Sequence, residues 1–140
     1  MAEIYQSSEE IPQLFYQALR QVMEGDTSRM LALWSTQEDV TYVDPAGQLH
    51  QGPDGIVAYW RQAAERNVEA SSKVLATADH IVMHASDSII CTVMSEHIWI
   101  RQPSGRLLQM KSVSTNVYRY EAESWRMIHR HSGTTTPEDG

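Results

Sequence analysis

Cysteine is scarce in this 140-residue sequence, and long apolar runs and a surplus of cations are missing. A single cysteine, Cys91, excludes an intrachain disulfide and fits a reducing compartment. Eleven Lys and Arg against 18 Asp and Glu leave a net charge of −7. That balance argues against nucleic acid and anionic membrane surfaces as partners, because both reward clustered cations. No apolar stretch approaches the ~20 residues needed to cross a bilayer. The opening MAEIYQSSEE lacks the basic-then-apolar order of a secretion signal, so the expected location is cytoplasmic. Repeats, low-complexity segments, a phosphate-binding loop, GxSxG and paired-cysteine zinc motifs are also absent from the sequence. Neither a cofactor nor a bound metal is expected.

What is present is the composition of an ordinary globular domain, 41% hydrophobic and 21% charged. Residues 1–133 are expected to form one domain, with TTTPEDG (134–140) as a disordered tail. Ser7 and Glu10 have capping-box spacing, and Pro12 places a helix start just before it. Ile11, Leu14, Phe15, Ala18, Leu19, Val22 and Met23 then form one helical stripe. Gly25 can end this helix in the left-handed conformation, and Asp26 can cap a short second helix over Thr27 to about Trp34. Asp39–Val43 reads as a strand stopped by the turn Asp44-Pro45-Ala46-Gly47. Gly52-Pro53-Asp54-Gly55 starts a third helix, whose apolar side includes Ile56, Tyr59, Trp60, Ala63 and Ala64. Long strands follow at about 70–84, 88–100, 107–120 and 125–132. Helices first and an antiparallel meander afterward predict an α+β domain, with a curved sheet wrapped around the helices.

Residues 113–133, VSTNVYRYEAESWRMIHRHSG, organise the rest. They read as two strands joined by the turn Glu121–Ser124. Pairing Tyr120 with Trp125 places Tyr118 opposite Met127, Asn116 opposite His129 and Ser114 opposite His131. One face then carries Asn116, Tyr118, Tyr120, Trp125, Met127, His129 and His131. Val113, Thr115, Val117, Ile128, Arg119, Arg126 and Arg130 lie on the other. Pairing Ile100 with Leu107 adds Cys91, Val93, Ser95, His97 and Trp99 to the Asn116 face. Met94 and Ile98 then join the opposite side. Two imidazoles, an asparagine and two tyrosines among inward aromatics suggest a pocket floor. Helices can cover only one side of this sheet, so the uncovered apolar side is expected to bury itself in a homodimer, with higher assembly open.

The order GD…LWS…DVTYVDPAGQLHQG…IVAYW, ending in NVYRYEAESWRMIHRHSG, resembles a nuclear-transport-factor-2-like (SnoaL-like) domain over about residues 8–133. The ending is similar to the association domain of calcium/calmodulin-dependent protein kinase II and its free-standing bacterial relatives. VTYVDPAGQLHQG is similar to ketosteroid isomerase. The resemblance implies a cone-shaped, cystatin-like α+β barrel, usually dimeric, with its pocket inside the cone. It also puts Asp44 at the position of the isomerase's catalytic aspartate, the base that moves a proton beside a carbonyl. Ala18 stands where the isomerase's oxyanion-hole tyrosine would be, and the strand 107–120 contains no aspartate. Positions matching the association domain's pocket arginines are Ser95, Asn116 and Ser132.

The candidate catalytic residues are therefore Asp44 and His129; each also has an ordinary structural reading, as a turn aspartate and a hydrogen-bonded core histidine. Trp34, Tyr42, Trp60, Ser95, His97, Asn116, Tyr118 and His131 are the candidate ligand-binding set. His129 and His131 are spaced to share a metal, but no motif supplies a third ligand. Three functions stay open: a binding domain for a small hydrophobic or cyclic molecule, an enzyme of isomerase, cyclase or dehydratase type using Asp44 or His129 for proton transfer, and an association-domain-like oligomerisation module.

Overall fold

In a computed structural model of the protein, residues 10–70 and 73–137 are described, including every side chain but that of His80. Three helices come first: α1 (Ile11–Met23), α2 (Ser28–Leu33) and α3 (Gly52–Ala70). The short strands β1 (Thr41–Val43) and β2 (Leu49–Gln51) lie between α2 and α3. The long strands β3 (Lys73–Ala85), β4 (Ile89–Arg101), β5 (Leu107–Glu121) and β6 (Ser124–Ser132) follow. A two-residue strand β7 (Thr136–Pro137) pairs with β5 through Lys111 and Met110, where the sequence suggested a disordered tail. Ser7, half of the expected capping box, lies outside the described residues.

The sheet order is β2–β1–β6–β5–β4–β3, antiparallel throughout except where β1 runs parallel to β6. This is the expected mixed α+β architecture. At the end of α1, Gly25 takes φ +97° and donates to the Val22 carbonyl, a turn an L side chain would strain. Thr27 takes the N-cap position of α2 without a side-chain bond, and just ahead of it Asp26 Oδ1 accepts from the Ser28 N–H at 2.9 Å. The β5–β6 hairpin turns on Ala122 (φ 46°) and Glu123 (φ 67°), the paired positive dihedrals that match the twist of adjoining strands.

Two irregularities bend the sheet around α1. β3 carries an extra residue between Asp79 and Val82, and β6 carries one opposite the Val117–Tyr118 step. Such bulges raise local twist and re-aim the side chains beyond them. Inside the bend lie Phe15, Tyr16, Val22, Met30, Trp60, Met94, Tyr118 and Met127, all 2% exposed or less. Each is worth roughly 1.5–3 kcal/mol of hydrophobic transfer. No helix among the described residues is long and apolar enough to cross a membrane.

The inward and outward faces differ from the sequence-based assignment in two places. Tyr120–Trp125 and Tyr118–Met127 pair as expected, but Ile128 is then the extra residue. Beyond it Val117 pairs with His129, Asn116 with Arg130 and Ser114 with Ser132. Arg130 therefore turns inward and is 4% exposed, while His129 and His131 leave the Asn116 face. The β4–β5 register is shifted by one residue, with Arg101 opposite Leu107 and Ile100 opposite Leu108. A one-residue shift exchanges the faces of a whole strand. Thr92, Met94 and Glu96 consequently point into the core, and Cys91, Val93, Ser95, His97 and Trp99 occupy the other face.

Candidate functional site

At the centre of the inner face stands a buried ion pair that none of the sequence motifs announced. Arg130 Nη2 donates to both Glu96 oxygens at 2.9 and 3.1 Å, with the two side chains 5% and 4% exposed. The register makes the meeting: β4 brings Glu96 opposite Ser112, and the β6 bulge brings Arg130 opposite Asn116. Further donors complete the carboxylate. Ser112 and Ser114 hydroxyls reach Glu96 Oε1 at 3.0 and 2.7 Å, and the Tyr16 hydroxyl of α1 donates to Oε2. Arg130 Nη1 donates to Asn116 Oδ1 at 2.9 Å, and its guanidinium lies 4.1 Å from the centre of the Phe15 ring.

The electrostatics follow from this packing. Burial pushes the Glu96 carboxyl upward, but Arg130 and the donors from Tyr16 and Ser114 outweigh it and hold the group below its usual value. Burial, reinforced by the Glu96 charge, raises the Tyr16 hydroxyl well above the ordinary tyrosine range. Burial also raises the hydroxyls of Tyr42 and Tyr118, against the opposing influence of Arg130. At neutral pH the inner face thus holds one anion, one cation and neutral phenols.

Beside this pair lies a cavity of about 240 Å³ between the second half of α1, α3 and the sheet. Its walls include Phe15, Leu19, Tyr42, Tyr59 and Trp60, and Glu96 and Arg130 form part of its lining. Tyr42 and Trp60 stack at 15° with centres 5.4 Å apart, and Tyr59 meets both edge-on at 4.8 and 4.9 Å. Such pairs add rigidity to an apolar wall. Among the described residues, four buried side-chain atoms lack a hydrogen-bond partner: Trp34 Nε1, Trp60 Nε1, Thr92 Oγ1 and Arg130 Nε. Trp60 and Arg130 line the cavity.

The residues singled out from the sequence divide. Tyr42 and Trp60 line the cavity, and Asn116 and Tyr118 lie fully buried, Asn116 donating to the Tyr118 hydroxyl at 3.4 Å. Trp34 is buried against Tyr42, with ring centres 6.0 Å apart, and is not part of the cavity lining. Ser95, His97, His129 and His131 face away from Asn116. His97 pairs with Asp79 at 2.8 Å, and His129 Nδ1 lies 2.8 Å from Thr41 Oγ1. Burial and the neighbouring His131 lower the His129 pKa.

Asp44 is 5% exposed and spends its oxygens on its own turn. Oδ1 accepts from the N–H groups of Ala46 and Gln48 at 2.9 and 3.0 Å, and Oδ2 lies 2.9 Å from His50 Nε2. Burial works to raise this carboxyl, but His50 and the two backbone donors prevail and hold it below its usual value. A carboxylate held that way is a weak proton acceptor. No group of three or more metal-ligating side chains gathers among the described residues.

Arg130 and Glu96 were missed because of base rates: both residue types are almost never fully buried unless paired. One usable signal was phase. Glu96 keeps step with Ile90, Thr92 and Met94, a period-two run that ends on a charge.

No curated protein matches the chain. Solved structures of the same fold do. A protein from Streptomyces avermitilis assigned as a dehydratase of the NTF2-like family is 19% identical, covering 90% of this chain and 94% of its own with a TM-score of 0.74. One from Thiobacillus denitrificans assigned as a calcium/calmodulin-dependent protein kinase type II association domain is 21% identical, covering 99% and 100%, with a TM-score of 0.69. An NTF2-like protein with a cystatin-like fold from Novosphingobium aromaticivorans is 18% identical, covering 90% and 80%, with a TM-score of 0.72. At these identities the likeness shows the fold alone. The family model for the SnoaL-like domain matches residues 11–137, nearly the whole described chain, and the protein belongs to that family.

Proposed function

We propose that this SnoaL-like domain binds a compact small molecule with an apolar body in the cavity between α1, α3 and the sheet. The observation that carries the reading is the cavity's construction: rigid aromatic walls beside a buried Glu96–Arg130 pair. Pockets for small molecules combine apolar walls with a few fixed polar groups. Tyr42 and Trp60 serve as wall in this reading, and Asn116 and Tyr118 support the pair from below. Asp44 is committed to its turn and His129 to the opposite face, which favours binding over proton transfer by either group. Thermal-shift screening of small aromatic and alicyclic compounds tests it. Hits should stabilise the native protein and lose their effect on Leu19→Trp, which fills the cavity. A screen without hits, or hits indifferent to Leu19→Trp, would overturn the reading.

A second reading concerns assembly. The outer face of the sheet exposes Leu75, Leu107 and Val113 at 45%, 43% and 62%, beside Trp99. Apolar groups gathered on one face favour burial against another copy. The similarity to association domains supports self-association through that face. Light scattering after size exclusion should give a mass of at least twice the 15.9 kDa chain, with Val113→Lys shifting it downward. A native monomer at 15.9 kDa would refute assembly and leave the cavity reading standing.

A further inference from the structure

We infer that the cavity selects an amphipathic monocarboxylate, with its apolar ring among the aromatic walls and its carboxylate at Arg66. The inference rests on the small-molecule reading above and names the chemistry of the occupant.

Hydrogen bonding alone discriminates little here. Tyr42 and Tyr59 bring hydroxyls to the lining and Asn67 an amide, groups that both donate and accept. Charge does discriminate. The charged side chains of the lining are Glu96, Arg130 and Arg66. Glu96 and Arg130 neutralise one another through the two bonds from Nη2. Arg66 has no such partner: among the described residues it makes no ion pair or hydrogen bond, not even with Glu69 at the i+3 position. The lining therefore carries one unbalanced positive charge, on a chain whose net charge is −7.

The placement of that charge suits one end of a ligand. Trp60, Ala63, Arg66 and Asn67 follow one another on α3 at three- and four-residue spacing, so its buried stripe turns polar while still lining the cavity. Asn67 donates to the Ala63 carbonyl at 2.9 Å, which fixes its amide on that stripe. Arg66 lies six residues beyond Trp60, about 9 Å along the helix axis. Helical side chains lean back toward the N-terminus, which shortens the gap. An apolar cavity of about 150 Å³ accepts benzene. One of about 240 Å³ has room for a ring and a short chain. A ring among Tyr42, Tyr59 and Trp60 can then present a carboxylate to Arg66, whose planar fork matches it. Arg66 is exposed, so the carboxylate keeps part of its water and escapes the full cost of a buried pair.

The test titrates three probes of similar shape into the full chain at low salt, followed by NMR: 3-phenylpropionate, 3-phenylpropanamide and 3-phenylpropylammonium. The carboxylate should bind about twofold to fivefold more tightly than the amide, the ratio a partly exposed charge pair gives, and the ammonium most weakly. Salt at about 0.5 M should erode that preference. Arg66→Gln keeps much of the side chain and removes the charge, so it should bring the carboxylate to the amide's level. Arg66→Lys should retain most of the preference. Arg61→Gln removes an exposed cation of the same helix outside this cavity and should leave the ratio as it is. Equal affinity for carboxylate and amide would overturn the inference, as would a preference that survives Arg66→Gln or falls equally in Arg61→Gln. The ammonium as the tightest probe would overturn the anionic class. Binding of none of the three, or binding indifferent to Leu19→Trp, would instead fail the cavity reading itself.

Discussion

Removing the cation from the Glu96–Arg130 pair should invert how the protein responds to acid. Arg130→Met leaves Glu96 buried with hydroxyl donors from Tyr16, Ser112 and Ser114 but no countercharge. Breaking one side of a buried pair costs about 3–5 kcal/mol, against a total domain stability of roughly 5–15 kcal/mol. For a chain of this length that is a fall in Tm of about 10–20 °C. In the native protein the folded-state pKa of Glu96 is depressed. Its contribution is present above the ordinary value of 4.5 and lost as pH falls through the folded value. In Arg130→Met burial acts without the arginine, so the folded pKa rises and protonation relieves the strain as pH falls from 7. Urea unfolding followed by tryptophan fluorescence at pH 7 and about pH 5 reads both effects. The deficit of Arg130→Met relative to native should shrink at the lower pH. Glu96→Met should be comparably destabilised, and the double variant should fall short of the summed single costs by about 3 kcal/mol. A deficit under about 1 kcal/mol that is equal at both pH values, or an additive cycle, would refute the account of the pair.

Other substitutions test the fold around it. Asp44→Asn should cost about 1–2 kcal/mol by weakening charge-assisted bonds to Ala46, Gln48 and His50, seen as a lower urea midpoint. Because the folded Asp44 pKa is lowered, that cost should fade as pH drops below the ordinary 3.8. Gly133→Ala would place a methyl 2.2 Å from the Val113 carbonyl oxygen, a backbone clash with no rotamer to relieve it. A loss above about 2 kcal/mol is expected by urea unfolding. The folded His129 pKa is lowered, so the unfolded chain takes up its proton first as pH falls below the usual 6.5. His129→Gln should therefore flatten the decline in stability between that value and about pH 5, measured by Tm against pH.

The elements were legible in the sequence because local chemistry sets them. The stripe from Ile11 to Val22, the glycine at 25 and the turn residues at 44–47 and 121–124 each act within a few positions, and the observed elements begin and end near them. β2 was missed because Leu49–Gln51 is three residues long and owes its pairing to β1. The site was legible only in part. Asn116 and Tyr118 sit on the inside, where the alternation put them, and Tyr42 and Trp60 are buried as aromatic wall. Ser95, His97, His129 and His131 do not, because face depends on register and register here depends on two single residues. Ile128 is an unpaired residue within an otherwise regular strand, and Arg101 pairs with Leu107 instead of joining the loop. Neither choice has a propensity cost that the sequence displays. With both made, four charged or polar side chains exchange places, and the inner face acquires Glu96 and Arg130 in place of imidazoles.

That exchange also explains how one carboxylate can govern a cavity. Tyr16 reaches Glu96 from α1, Ser112 and Ser114 from β5, and Arg130 from β6, so the position of the pair is fixed by a helix and three strands at once. A buried pair is weak evidence for stability, since apolar residues of similar volume often serve as well or better. What it supplies here is direction. The bidentate hold on Nη2 and the bond from Nη1 to Asn116 leave Nε as the one guanidinium nitrogen without a partner, on a side chain stacked over Phe15 at the edge of the cavity. A core of leucine and methionine could close the same space, but it could not tie one helix and three strands to a single point through hydrogen bonds.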